Sequence, residues 1–171
     1  VEAIEAWRKA VELEPRFDDA HYNLGMAHLI LGEYYRALEI FKKALELDPH
    51  DPRYQNALGG AYEKLGLIDD AEGAYKKALE LDRYSAVAYN NLGAINHKRG
   101  RLDKAIGLYM KAIELNPNIK EAYENLGLAY YELGRFKEAI SAVEQAWRKD
   151  PEATRATRFL ELMRGLKGGG P

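Results

Sequence analysis

The chain contains no cysteine, so disulfides and thiolate zinc sites are excluded. An excess of one charge is also missing: 25 Lys and Arg stand against 27 Asp and Glu, a formal charge of −2. Nucleic-acid binding needs a basic stripe and is not expected. Long apolar runs are lacking. The longest uncharged one, Leu24 to Leu31, falls far short of the ~20 residues that cross a bilayer, and no signal-peptide pattern is present. Membrane insertion is therefore not expected, and the chain reads as soluble and cytoplasmic.

Groupings that carry chemistry are equally scarce. His21 and His28 share a helical face, but seven residues separate them by about 10 Å along the axis. That is too far for both to bind one ion at ~2 Å. His50 sits between Asp48 and Asp51 in a polar turn. Asp18-Asp19 and Asp69-Asp70 stand near helix starts, where the helix dipole favours acids. No GxxxxGK[ST] phosphate cradle occurs. The expectation is no cofactor, no metal and no catalysis within this segment.

What the chain has is a period. Leu24-Gly25, Leu58-Gly59, Leu92-Gly93 and Leu126-Gly127 follow one another at 34 residues. Gly32, Gly66, Gly100 and Gly134 keep the same spacing, as do Ala37, Ala71, Ala105 and Ala139. A period of this length marks a repeat architecture. Within one unit, Ala122, Tyr123, Leu126, Ala129, Tyr130 and Leu133 fall on one face of a helix. Gly134 can end that helix in the left-handed conformation. Phe136, Ala139, Ile140, Val143 and Ala146 stripe a second helix, stopped shortly after by Pro151. So short a turn makes the two helices antiparallel. Gly127 and Ala139 are expected to meet, bringing the backbones close.

Asp51 before Pro52 and Ser85 are expected N-caps. Glu39–Lys43 and Glu72–Lys76 are i,i+4 pairs worth a few tenths of a kcal/mol each, expected on solvated outer faces. Gly73 and Gly107 interrupt second helices at a cost of about 1 kcal/mol each relative to Ala.

These residues resemble the tetratricopeptide repeat (TPR), whose pattern is an aromatic, Leu-Gly, Tyr, Ala, an aromatic and Pro. The resemblance implies an all-α fold, a right-handed superhelical solenoid of antiparallel helix pairs. Four full units follow, at 18–51, 52–85, 86–119 and 120–153. Residues 1–17 read as the second helix of a truncated repeat, since Ala3, Trp7 and Ala10 align with Ala37, Phe41 and Ala44; the chain reads as part of a longer protein. Residues 154–167 read as a capping helix with Ala156, Phe159, Leu160 and Met163 on its apolar face, and 168–171 as a flexible tail. Departures from the pattern are His21 and Gln55 in the leading aromatic slot, His28 and Asn96 in the Tyr slot, and Arg83 in the Pro slot. Asn96 is a polar group at a place usually packed.

In this family the first helices line a concave face on which partner peptides or helices lie. The resemblance thus implies an inner wall containing Tyr22, Asn23, Asn56, Asn90, Asn91 and Asn125, with Arg53, His97 and Tyr131 beside them. Asn amides offer donors and an acceptor to an extended backbone without demanding a particular side-chain sequence. The family's carboxylate clamp, by contrast, needs two Lys and an Arg. Its slots here read Tyr22, Met26, Ala57, Val87 and Asn91, or one unit on, Asn56, Gly60, Asn91, Glu121 and Asn125. Acidic C-terminal tails are therefore not expected to bind. Met26, Leu29 and Ile30 are apolar where later units place Glu63, Lys64, His97 and Lys98; two readings of such a patch stand, a docking surface or a face partly covered by the N-terminal helix missing from the truncated repeat. The expected partner is a protein or peptide, with self-association through the repeat ends a further expectation. The alternatives are an accessory arm of a larger enzyme, such as a protein glycosyltransferase, and a purely structural homo-oligomer.

Overall fold

The structure, a computed structural model, describes residues 2–14, 18–149, 157–159 and 161. Among them lie nine α-helices and no strand. They are α1 (Glu2–Leu13), α2 (Asp18–Ile30), α3 (Tyr34–Leu47), α4 (Pro52–Lys64), α5 (Ile68–Leu81), α6 (Ala86–Lys98), α7 (Leu102–Leu115), α8 (Lys120–Glu132) and α9 (Phe136–Lys149). The fold class is all-α, a helical-repeat solenoid of antiparallel pairs. Of the capping helix expected near the C-terminus, residues 157–159 and 161 are helical; the rest of it, and the tail 168–171, lie outside the described residues.

The chain divides into two compact units, residues 1–84 and 85–171. In the first, α2 packs on α3, α4 on α5, and α3 on α4; in the second, α6 packs on α7, α8 on α9, and α7 on α8. The first unit's core gathers Leu38, Phe41, Tyr54 and Leu58 among buried alanines. In the second, Ile106, Tyr109 and Leu126 play the same part.

Each first helix ends in one device. Arg135 donates its backbone N–H to Tyr130 O and Gly134 donates to Tyr131 O, both at 2.9 Å. This is the Schellman arrangement, and it needs the left-handed φ of +72° at Gly134. Gly32, Gly66 and Gly100 repeat it. Second helices end in another: the Asp48, Asp82 and Asn116 side chains accept the backbone N–H two residues on, at 2.9–3.0 Å. These Asx turns explain Arg83. With Asp82 closing the turn, the proline found at the equivalent Pro49 and Pro117 is dispensable. Asp51 accepts from Arg53 N at 2.8 Å and Ser85 from Ala88 N at 3.3 Å, as N-caps.

The contact within each pair includes a side chain that the sequence reading did not name. A Cβ built on Gly127 would stand 2.4 Å from Val143 Cγ2 and 3.2 Å from Ala139 O. The Ala139 backbone is close, but the partner side chain is Val143. In the other units that partner is a ring: Phe41 at 2.4 Å from a Cβ on Gly25, Tyr75 at 2.5 Å for Gly59, Tyr109 at 2.6 Å for Gly93. At Gly127 the two backbones approach as expected, while at Gly25, Gly59 and Gly93 the glycine is a notch that receives a ring.

Glu72 also departs from expectation. It is buried and joined to Lys76 at 2.6 Å, because it occupies the position held by buried Leu38 and Ile106 in neighbouring repeats. Gly73 and Gly107 are exposed, and a Cβ on either would meet nothing within 4 Å. Gly107→Ala is therefore expected to stabilise the chain by about 1 kcal/mol, read as a higher midpoint in urea unfolding. Nothing in the structure explains why glycine stands there.

Candidate partner-binding surface

In the first unit the expected wall residues gather along α2 and the start of α4. Tyr22, Met26 and Leu29 are half-buried and pack on the core; the Tyr22 ring lies 6.3 Å from Phe41 and 6.2 Å from Tyr54. Asn23 and Asn56 are half-buried and Ile30 is exposed. Arg53 is already committed within the chain. Its guanidinium bonds Asp51 at 2.7 Å and Asp19 at 2.8 Å and lies 5.4 Å from the Tyr22 ring centre. It therefore braces the starts of α2 and α4 and is not spare for a ligand.

In the second unit the asparagines turn toward one another. Asn125 Nδ2 donates to Asn90 Oδ1 at 3.1 Å, and Asn90 Nδ2 to Asn91 Oδ1 at 3.4 Å. Asn90 is buried. The amides expected to face a peptide thus spend part of their bonding on a bridge between α6 and α8. His97 pairs with Glu132 at 3.0 Å and sits edge-on to Tyr109 at 6.4 Å. Tyr131 packs against Phe136 and Phe159, each at 5.6 Å. Repeat-to-repeat contacts inside the unit account for much of this surface.

His21 and His28 are packing residues, whereas His50 is exposed in its turn. His21 and His28 are both buried, and His28 Nδ1–H donates to Glu33 Oε2 at 2.6 Å. That bond, reinforced by Arg36, holds the Glu33 carboxyl below the usual carboxylate range. Asn96 is fully buried and donates Nδ2–H back to Leu92 O at 2.8 Å. Its Oδ1 has no partner among the described residues, a cost of about 1–3 kcal/mol. No cluster of three His, Asp or Glu among the described residues is spaced to hold a metal ion. No helix among them is long and apolar enough to cross a membrane.

The wall segment that stays open is at the α2–α3 turn. Leu29, Ile30, Tyr34, Gly60 and Lys64 line a hollow of about 380 Å³. A second, of about 340 Å³, shares Tyr34 and adds Tyr35, Arg36 and Leu65. Ile30 is 81% exposed and Tyr35 72%. Reasoning from the sequence passes over Tyr34 and Tyr35, because the family resemblance points to first helices and both stand on a second one. Comparison down the repeat column does single out Tyr35, which stands where later units carry Asp69, Asp103 and Lys137.

Family models described as "Tetratricopeptide repeat" match residues 18–51, 52–84 and 84–148, and one described as "TPR repeat" matches 2–32. No curated protein sequence matches the chain significantly. Among solved structures, MamA is 30% identical over 87% of this chain and 87% of its own, with a TM-score of 0.71. TTC0263, a thermophilic TPR protein of Thermus thermophilus, is 22% identical over 94% of this chain and 88% of its own, at 0.83. YrrB, a TPR protein with an unusual peptide-binding site, is 23% identical over 92% and 81%, at 0.69. The last two share the fold.

Proposed function

Because the chain belongs to the tetratricopeptide-repeat family, whose repeats serve as protein-interaction scaffolds, we propose that it binds short protein segments presenting aliphatic side chains. The receiving surface is the hollow beside Leu29, Ile30 and Tyr34. Protein binding is the general role of the family; this location is the specific claim. One observation carries it. Ile30 and Tyr35 are exposed apolar residues in register with charged residues in every later repeat: Lys64, Lys98 and Glu132 for the first, Asp69, Asp103 and Lys137 for the second. Ordinary surface upkeep favours the charged choice, so three repeats show what the position holds when nothing docks there. Lys64 and Arg36 at the edges supply a polar rim, as interfaces commonly have.

The Asn90–Asn91–Asn125 row contributes less under this reading, because its amides are partly bonded to one another. Leu29 packs on the core, so a charge there would disturb the fold as well as the surface. Ile30→Glu is the cleaner test. Peptides selected from a random display library against the wild-type chain are expected to lose at least roughly tenfold in affinity on Ile30→Glu, about 1.4 kcal/mol, with helicity by circular dichroism unchanged. Selected peptides that bind Ile30→Glu as tightly as wild type would refute the location.

A further inference from the structure

A further hollow of the first unit, about 320 Å³ in volume, is bounded by α3, α4 and α5. Leu45 and Tyr62 give it apolar walls, Gln55, Asp70 and Lys77 polar ones, and Gly73 lies between the last two on α5. Two residue choices leave this space. Gln55 stands where the other repeats carry the rings of His21, Tyr89 and Tyr123, and Tyr89 and Tyr123 pack on buried neighbours. Gly73 stands where α3 carries Glu39. A Cβ there would meet nothing within 4 Å, so the chain's own packing does not call for glycine. Without an acid at 73, Lys77 lacks the i−4 partner that Glu39 offers Lys43. The side chains of Gln55, Asp70 and Lys77 make no hydrogen bond or ion pair among the described residues. Gln55 is half-buried, and the two charges are exposed.

We propose that this hollow binds one extended segment of another protein, in the polyproline II conformation, carrying a basic and an acidic residue three positions apart. Charge complementarity and length specify that occupant. Asp70 and Lys77 are seven residues apart on α5, about 10 Å along the helix axis. In polyproline II, residues i and i+3 lie on one side of the segment about 9 Å apart. The basic residue then faces Asp70 and the acidic one Lys77. A β-strand would send residues three apart to opposite faces. Gly73, with no side chain, leaves the segment's backbone room to pass between the two charges. A polyproline II backbone makes no hydrogen bonds of its own, and the Gln55 amide offers it both donors and an acceptor. The Tyr62 ring supplies the aromatic wall against which such segments dock.

The test titrates the whole chain, by fluorescence anisotropy, into short labelled peptides of a proline-rich background that favours polyproline II. Each peptide carries one Lys and one Glu, two, three or four positions apart and in either order. The expected result is saturable binding that is strongest at three positions, with one order preferred by roughly tenfold or more. The chain bearing both Asp70→Lys and Lys77→Glu is expected to prefer the opposite order. Gly73→Leu, which fills the hollow from a position open to solvent, is expected to weaken binding by roughly tenfold or more with helicity unchanged. No saturable binding, no preferred order, an order that the charge swap leaves in place, or equal binding by Gly73→Leu overturns the proposal. A dimer on a sizing column that Gly73→Leu abolishes also overturns it, because a second copy would then be the occupant. Ile30→Glu leaves this binding unchanged, so failure here and failure at the α2–α3 hollow are told apart.

Discussion

Gly93→Val is expected to lower stability by about 3 kcal/mol or more, which for a chain of this size is a melting temperature lower by roughly 6–12 °C. A Cβ at Gly93 alone would stand 2.6 Å from Tyr109 Cε1 and 2.7 Å from Cδ1. Tyr109 is 1% exposed, held on its other sides by α8 residues such as Leu126 and Ala129, so the ring has nowhere to withdraw. The valine methyls add to the overlap, and α6 and α7 must separate. A second pair of variants isolates the contact: in a Tyr109→Ala background, Gly93→Ala is expected to cost almost nothing beyond the first substitution, the non-additivity of residues that touch. Equal melting of Gly93→Val and wild type would mean that Gly93 does not receive the Tyr109 ring. The contrast with Gly107→Ala, expected to stabilise, shows that the sign follows the space beside the glycine.

The other large effect is expected at Tyr75. Its ring fills the notch at Gly59, and its hydroxyl donates to Glu63 Oε2 at 3.0 Å. Tyr75→Ala removes a fully buried ring and is expected to cost about 3–5 kcal/mol. Tyr75→Phe keeps the ring and loses only the hydrogen bond, worth about 1 kcal/mol. The two differ again in pH dependence. Burial, with the Glu63 carboxylate adding to it, pushes the Tyr75 phenol well above its ordinary value of 10.0. Below that value the phenol is protonated in both folded and unfolded chains, and its contribution to stability is fully present. Above it the unfolded chain releases the proton while the folded chain keeps it, so stability falls as pH rises. Urea unfolding at pH 9, 10 and 11 is expected to show this decline in wild type and a shallower one in Tyr75→Phe. Equal slopes would mean that Tyr75 is not the group responsible.

Much of the fold was legible because local chemistry repeats along the chain. The 34-residue spacing of Leu-Gly, the turn glycines and the alanines specifies helix, left-handed stop, helix and turn without reference to any distant residue. Asp51 and Ser85 were readable as caps for the same reason, since each acts on an N–H two or three residues away. The candidate surface was less legible. Arg53 looked available because its sequence neighbours say nothing of Asp19, 34 residues earlier, which holds it. Asn90 and Asn125 looked like two open amides, and only their approach across α6 and α8 joins them at 3.1 Å. Glu72 looked like half of a surface pair, yet its place in the repeat column is a buried one.

The sequence by itself determined that this protein is a row of helix pairs, and that a left-handed glycine ends each first helix, because both follow from contacts at short or fixed separation. Tertiary structure alone decided which polar side chains are already spent on one another and which apolar ones are left over. Tyr35 stays in solvent and Arg53 is engaged, since burial and side-chain pairing depend on where neighbouring helices place their atoms. An unclaimed surface is what remains after those pairings are made, and no single stretch of chain contains that remainder.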